Sequence, residues 1–279
     1  MRDKKELHDE QALLADVLDS QINIPPQPEV ILEIDRLLGK PNNQINAIAD
    51  LIGKDVGLSG GIFRLANSPF YKSPAKIVSI QQAITILGMG QVTNLVKGLA
   101  LRKAIGGQEL AYEKFWERSE EIATLSGIIA GKQVSSCNIS VDQAYLAGLF
   151  HECGVPILMQ HFPEYCQVFR LNQGSNWPDF HEEDRRFKTD HAVVGLLVTK
   201  HWNLPDFICQ AVRFHHDRLS VDHAALTMVS ILQMARHLYK RIRHLPDSEW
   251  AGIQKQVLHE VGIGEEGAPE FMEDVIEIF

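Results

Sequence analysis

Cysteine is scarce: there are four in 279 residues (Cys137, Cys153, Cys166 and Cys209), and no two form a C-x-x-C pair. A disulfide framework and a thiolate zinc knuckle are therefore excluded as the basis of the fold. Long apolar runs are missing too. No stretch approaches the roughly 20 apolar residues a membrane helix requires, and the N-terminus, MRDKKELHDE, is charged where a signal peptide would be greasy. The expectation is a cytoplasmic protein with no membrane partner. Positive charge is also short, with 27 Lys and Arg against 36 Asp and Glu for a net charge of −9. Phosphate neutralisation supplies most nucleic-acid affinity, so no nucleic-acid partner is expected. No Walker sequence and no dinucleotide-binding glycine fingerprint occurs.

What remains is an ordinary globular composition, 45% apolar and 23% charged, long enough for one large domain or two modest ones. Charge divides unevenly: residues 1–115 hold 13 basic and 13 acidic side chains, and residues 116–279 hold 14 against 23. Eleven of the twelve histidines follow residue 150. The two halves differ in chemistry, which places a boundary near 105–115.

The apolar spacing is helical throughout. Leu13, Leu14, Val17 and Leu18 repeat at helical intervals; IPPQPEV is extended up to Pro28, which suits the first turn of a helix running to Gly39. Ile45 to Ile52 with Gly53, Leu58 to Ala66 with Asn67, and Ile80 to Leu87 with Gly88 give three short helices, the last opened by a Ser79/Gln82 capping pair. Val92 to Leu99 continues the pattern, and further helices are predicted over about 113–135, 141–151, 190–202, 205–216, 222–243 and 248–260. The segment after Asp190 is apolar nearly all round, which predicts a buried central helix, and Gly195 inside it would admit a close neighbour. No sustained period-two alternation appears, so the fold class expected is all-α. The run from Gly262 to Phe279, acidic and Gly-rich and then amphipathic, is read as a C-terminal tail.

Gly57-Leu58-Ser59-Gly60-Gly61 is a literal G-x-S-x-G, but a nucleophile elbow needs a strand before it, and helical patterns flank it here. His151-Glu152 opens like H-E-x-x-H, yet position 155 is Val. The suggestive histidines are His151 with Glu152 at the end of an apolar helix, His191 in the first turn of the central helix behind a capping Asp190, and the doublet His215-His216 before Asp217. His215 follows Ile208, Ala211 and Val212 at helical spacing and so points inward. Inward imidazoles with a carboxylate are ligands for Zn, Fe or Mn; equally, a histidine at a helix end can simply satisfy a carbonyl. His161, His181, His201, His223, His237, His244 and His259 lack such context and read as surface or capping residues. The helix pair over 44–67 has the outline of a helix-turn-helix, but that half of the chain carries no net charge.

Two stretches together resemble the HDOD domain, the output-type relative of the HD metal-dependent phosphohydrolases. They are IPPQPEVILEIDRLL…INAIADLIGKDVGLSGGIFRLANSPFY…IVSIQQAITILGMGQVTNLV and FWERSEEIA…QAYLAGLFHECGVPIL…TDHAVVGLLVTKHWNLPDFICQAVRFHHD, together running from about Ile22 to Leu245. The resemblance implies an all-α fold with an N-terminal helical bundle (1–112) packed on an HD-like helical core (113–262) and a tail (263–279). It also implies bacterial origin and a role in signalling or regulation. By this resemblance His151-Glu152 stand at the family's His-Asp pair, with Glu for Asp; His191 matches a later histidine, and His215-His216 match the doublet of the two-metal branch. The early ligand position is taken by Arg118 and the late aspartate position by Arg236, while Val155 stands where cyclic-dinucleotide hydrolases carry Lys.

An arginine keeps its charge and offers a metal no lone pair. At about 5 Å and an effective dielectric of 20, two unit charges interact by about 3 kcal/mol, and a divalent ion doubles that. Two guanidinium groups in ligand positions thus remove attraction and add repulsion, and either arginine can pair with Glu152 instead. The expectation is a degenerate site in a non-catalytic regulatory module that binds another signalling protein or a small regulator and requires no cofactor. His151, Glu152, His191, His215 and His216 still suffice for one divalent transition metal (Fe, Mn or Zn). The alternative is a metal-dependent phosphohydrolase of nucleotides or cyclic dinucleotides, with Asp190 or Asp217 replacing the lost carboxylate.

Overall fold

The computed structural model describes residues 22–40, 45–67, 76–107, 109–173, 177–216 and 223–279. The helix expected around Leu13–Leu18, and Asp217, lie outside them. Among the described residues there are helices and no strand. Those of the first half are α1 (Glu29–Leu38), α2 (Ile45–Gly53), α3 (Val56–Ala66), α4 (Ile80–Leu87) and α5 (Met89–Ile105). Then come α6 (Leu110–Lys132), a single turn α7 (Val134–Cys137), α8 (Val141–Phe150), α9 (Gly154–His161) and α10 (Tyr165–Val168). The remainder are α11 (Phe180–Phe187), α12 (His191–His201), α13 (Asp206–Phe214), α14 (His223–Ile242), α15 (Trp250–Val261) and α16 (Ala268–Ile278).

Capping explains most of the boundaries. Asp55 accepts from the N–H groups of Gly57 and Leu58 to open α3, and Asp190 Oδ1 accepts from Val193 N at 2.8 Å to open α12. Ser79 Oγ accepts from Gln82 N at 3.1 Å, but the Gln82 side chain turns to the N–H of Val78 rather than completing a box. Gly88, at φ 91, closes α4 as expected and starts α5. Ser59 lies inside α3 with its hydroxyl on the carbonyl of Ile52, so G-x-S-x-G is no elbow.

Four segments depart from the sequence reading. α9, α10 and α11 appear where no helix was predicted, and the C-terminal tail forms α16, whose Ala268, Met272 and Val275 are buried. The buried apolar residues form one continuous core, from Ile22 through α5, α6, α8, α12 and α14 to Val275. Polar ties also join the two halves of the sequence: Asn94 to Asp142 at 2.7 Å, Gln160 to the carbonyl of Ile105 at 2.6 Å, and Trp202 Nε1 to the carbonyl of Pro25 at 3.0 Å. α12 is buried on nearly every side, as its composition predicts.

The pairing of α6 with α8 sets up the site. Gly148 lets the two backbones meet, since a Cβ there would stand 2.5 Å from the Cα of Ala123. From that crossing Arg118 on α6 reaches Glu152 just beyond α8. All four cysteines are free thiols, and three are buried. No described helix is long and apolar enough to cross a membrane.

Candidate functional site

The site lies where α8, α12 and α13 terminate against α6, α11 and α14, and its histidines hold two jobs at once. His151 follows α8, and its Nδ1 lies 2.6 Å from the carbonyl of Gly148; His215 follows α13, with Nδ1 2.7 Å from the carbonyl of Val212. Each ring therefore donates Nδ1–H to a carbonyl of its own helix end, one of the acceptors a helix terminus leaves unpaired. That bond makes Nδ1 the donor in each ring, and on His215, whose pKa burial pushes well down, it leaves a lone pair on Nε2. Both rings are fully buried.

His191 is oriented by a residue the sequence reading missed. Glu183 on α11 is completely buried; it accepts from His191 Nδ1 at 2.5 Å, from the His191 backbone N–H at 3.1 Å, and from the Tyr165 hydroxyl. Lys188, left-handed at φ 58, closes α11 and turns the chain so that Glu183 meets the first residue of α12. Burial opposes a positive charge on His191, but Glu183 outweighs it, and the imidazole pKa rises above its ordinary value. A signal existed in the sequence: Asp179 as a cap, then Phe180, Glu183 and Phe187 on one helical face.

His191, His215 and His216 converge, one ligand nitrogen from each lying within 4.8 Å of the others. His191 Nε2 is 3.4 Å from His215 Nε2 and 3.0 Å from His216 Nε2. Nitrogens bound tetrahedrally at 2.0–2.1 Å from an ion stand about 3.4 Å apart. Burial pushes the pKa values of His215 and His216 well down, and neighbouring imidazoles and Arg236 reinforce the shift. Neutral imidazole is the ligating form. His216 is the less buried of the doublet and stacks on Phe180 at 4.7 Å.

Glu152 is not part of that triad. Arg118 grips it with both fork nitrogens, Nε to Oε2 at 3.2 Å and Nη2 to Oε1 at 3.1 Å, with both side chains buried. The guanidinium is itself held over Trp177 at 4.1 Å and Tyr239 at 5.1 Å. Burial would raise the Glu152 carboxyl, but Arg118 first, then His151 and Arg236, hold it well below the usual carboxylate range. His151 Nε2 makes no hydrogen bond and lies 3.5 Å from Glu152 Oε2.

Arg236 on α14 is also buried but does not grip Glu152. Its Nη1 lies 3.4 Å from His216 Nδ1, its Nη2 lies 3.8 Å from Glu249 Oε2, and its Nε has no partner. Asp190, a candidate replacement carboxylate, is spent as the cap of α12. One of the other histidines is not a surface group as expected: His237 is half-buried, pairs with Asp247 at 2.8 Å and stacks on Trp250 at 4.1 Å. The five candidate ligands thus form two groups, the triad and His151–Glu152–Arg118, joined where the His151 and His215 rings meet at 5.2 Å. The triad, with its buried lone pairs and the unpartnered His151 Nε2 beside it, fits a single transition-metal ion; the second group, with its carboxylate bound to a guanidinium, does not extend it to two.

Comparison with known proteins identifies the family and the fold. The HDOD domain family profile matches residues 24–218. An HDOD domain protein of unknown function from Geobacter sulfurreducens is 24% identical, with 98% of this chain and 99% of that one covered and a TM-score of 0.69. A candidate phosphohydrolase from Shewanella amazonensis SB2B is 22% identical, with 94% of each chain covered and a TM-score of 0.69. An uncharacterized protein of Treponema pallidum (strain Nichols) is 23% identical over 206 residues, which is 74% of this chain but only 40% of that relative's length.

Proposed function

The chain belongs to the HDOD domain family, and from that premise we propose that it is a non-catalytic regulatory module whose HD-type site has become a structural and sensory centre. The single observation that carries this reading is the buried two-pronged Arg118–Glu152 pair. A phosphoryl-transfer site needs a carboxylate free to orient water or complete a metal's coordination. Here Glu152 is bound to Arg118, Asp190 caps α12, and Glu183 is engaged by Tyr165 and His191. The residues that remain hold helices together. In this reading the helices of the first half, α1 to α5, offer the docking surface for a second signalling protein, and the module works in the cytoplasm of a bacterium.

A second reading, metal-dependent phosphohydrolase, is favoured by the triad of His191, His215 and His216. An ion held there supplies Lewis-acid polarisation of a phosphoryl oxygen. The chain's own contribution would be orientation of His191 by Glu183 and of His215 by the carbonyl of Val212.

The deciding experiment incubates the full chain with Mn2+, Fe2+ or Zn2+ and assays bis-p-nitrophenyl phosphate, nucleotides and cyclic dinucleotides. Turnover at the buffer rate with every metal is expected. Metal-dependent hydrolysis that disappears in His151→Ala overturns the regulatory reading.

A further inference from the structure

Every proton around the triad can be placed by its neighbours. A guanidinium can only donate. A guanidinium N–H of Arg236 faces His216 Nδ1 at 3.4 Å, so that nitrogen accepts and the His216 proton lies on Nε2. His191 Nε2, 3.0 Å away, is then left with a lone pair, and its proton is on Nδ1 toward the Glu183 carboxylate. The result is one directional chain: Arg236 to His216, His216 to His191, and His191 to Glu183, with Tyr165 donating to the same carboxylate from the far side.

This chain conflicts with coordination. To hold an ion together with His191 and His215, His216 needs its lone pair on Nε2 and its proton on Nδ1. An Nδ1–H would then face the Arg236 N–H, donor against donor, with the ion's charge behind it. Arg236 Nη2 already lies 3.8 Å from Glu249 Oε2, and its Nε is unpartnered, so the guanidinium has somewhere to go. Glu249 is the residue that opens α15.

We propose that Arg236 is a lock on the metal site: it holds His216 in the non-ligating tautomer, and an ion can complete the triad only by driving the guanidinium from His216 onto Glu249. Occupancy is thereby transmitted to the start of α15, on the outside of the core. The proposal deepens the regulatory reading, since it says how a site without turnover reports a bound ion, and it rests on that reading only for the use made of the signal.

The test has two parts, both on the full chain. Nitrogen-15 NMR of the metal-free wild type should show His216 protonated at Nε2 and not at Nδ1. Zinc titration by calorimetry should show Arg236→Met binding Zn2+ more tightly than wild type by about tenfold or more, the scale on which groups behind a metal's ligands act. Glu249→Gln, an exposed change that leaves the core intact, should weaken Zn2+ binding by about two- to fivefold, the range of a surface ion pair. A His216 ring protonated at Nδ1 in the metal-free protein overturns the lock. So does Arg236→Met with unchanged, weaker or undetectable Zn2+ affinity, and so does Glu249→Gln with unchanged affinity. These failures are separable from failure of the regulatory reading: hydrolysis in the assay above would leave the lock standing, and an unlocked His216 would leave the absence of turnover untouched.

Discussion

Gly154, the first residue of α9, lies against the carbonyl of His191, the first residue of α12: a Cβ built on Gly154 would stand 2.1 Å from that oxygen and 2.9 Å from the His191 Cα. Both neighbours are backbone, so neither can swing aside. The glycine therefore sets how closely α9 approaches the residue that anchors the triad. Gly154→Ala is expected to push α12 outward and to destabilise by about 1–3 kcal/mol, the usual cost of overpacking a tight interior. Gly60 in α3, where a Cβ meets nothing within 4 Å, is the control; Gly60→Ala should stabilise by about 0.5–1 kcal/mol. Urea denaturation of the two variants checks both signs, and a harmless Gly154→Ala would show that the contact relaxes freely.

The Arg118–Glu152 pair should behave as a buried pair rather than a surface one. Removing either partner leaves the other charged and desolvated, so Arg118→Met and Glu152→Met are each expected to cost about 3–5 kcal/mol. Removing both as Arg118→Met with Glu152→Met should cost far less than the sum, because no uncompensated charge remains. A double-mutant cycle by chemical denaturation measures this. Additive losses would mean that the two groups are not energetically coupled and would remove the main support for a pair that replaces a metal ligand.

What the sequence reveals about this centre follows from which forces leave a periodic trace. Apolar spacing marked α1 to α6, α8 and α12 to α15 because each buries an apolar face in the shared core. α11 escaped because its inward position is a glutamate: Glu183 is buried only because Tyr165 and His191 satisfy it, and that compensation comes from distant sequence. α9 and α10 escaped because they are short and break on Gly154 and Pro163 rather than on a change of period. The Arg118–Glu152 contact was legible only through the family resemblance, which set Arg118 and Arg236 at ligand positions and left either one to pair with Glu152; the structure gives the contact to Arg118. That Arg236 turns to His216 instead was not legible, because the donor and acceptor roles around His216 are set by contacts from distant sequence.

A second cluster, away from the triad, should also respond to acid. Asp247 accepts from His237 at 2.8 Å and Lys240 at 2.9 Å. Burial alone would raise its pKa, but these two hydrogen bonds and their charges outweigh that and depress it. A carboxylate with a depressed folded-state pKa contributes stability above its unfolded value of about 3.9, and that contribution is lost as pH falls through the folded value. Asp247→Asn should therefore lower the melting temperature at neutral pH and flatten its decline below about pH 4. Parallel wild-type and variant curves across that acid range would show that Asp247 is not the titrating group.

Glu183 separates orientation of the triad from mere packing. Glu183→Gln keeps the volume and one acceptor oxygen but replaces the other with a donor, and that amide then faces either Tyr165 or the backbone N–H of His191. Leaving a buried polar group mismatched costs about 1–3 kcal/mol, so the variant should melt lower but still fold. His191 also loses the charged acceptor that fixes its tautomer, and Zn2+ affinity is expected to fall by about 10- to 100-fold. Tyr165→Phe removes a donor to the same carboxylate without touching the His191 bond, so it should share the loss of stability and keep Zn2+ affinity within a few fold. Calorimetric zinc titration of the two variants at matched folded fraction distinguishes these roles. If both lose affinity in proportion to their loss of stability, Glu183 acts by packing, and the directional hydrogen-bond chain through His191 does not orient the site.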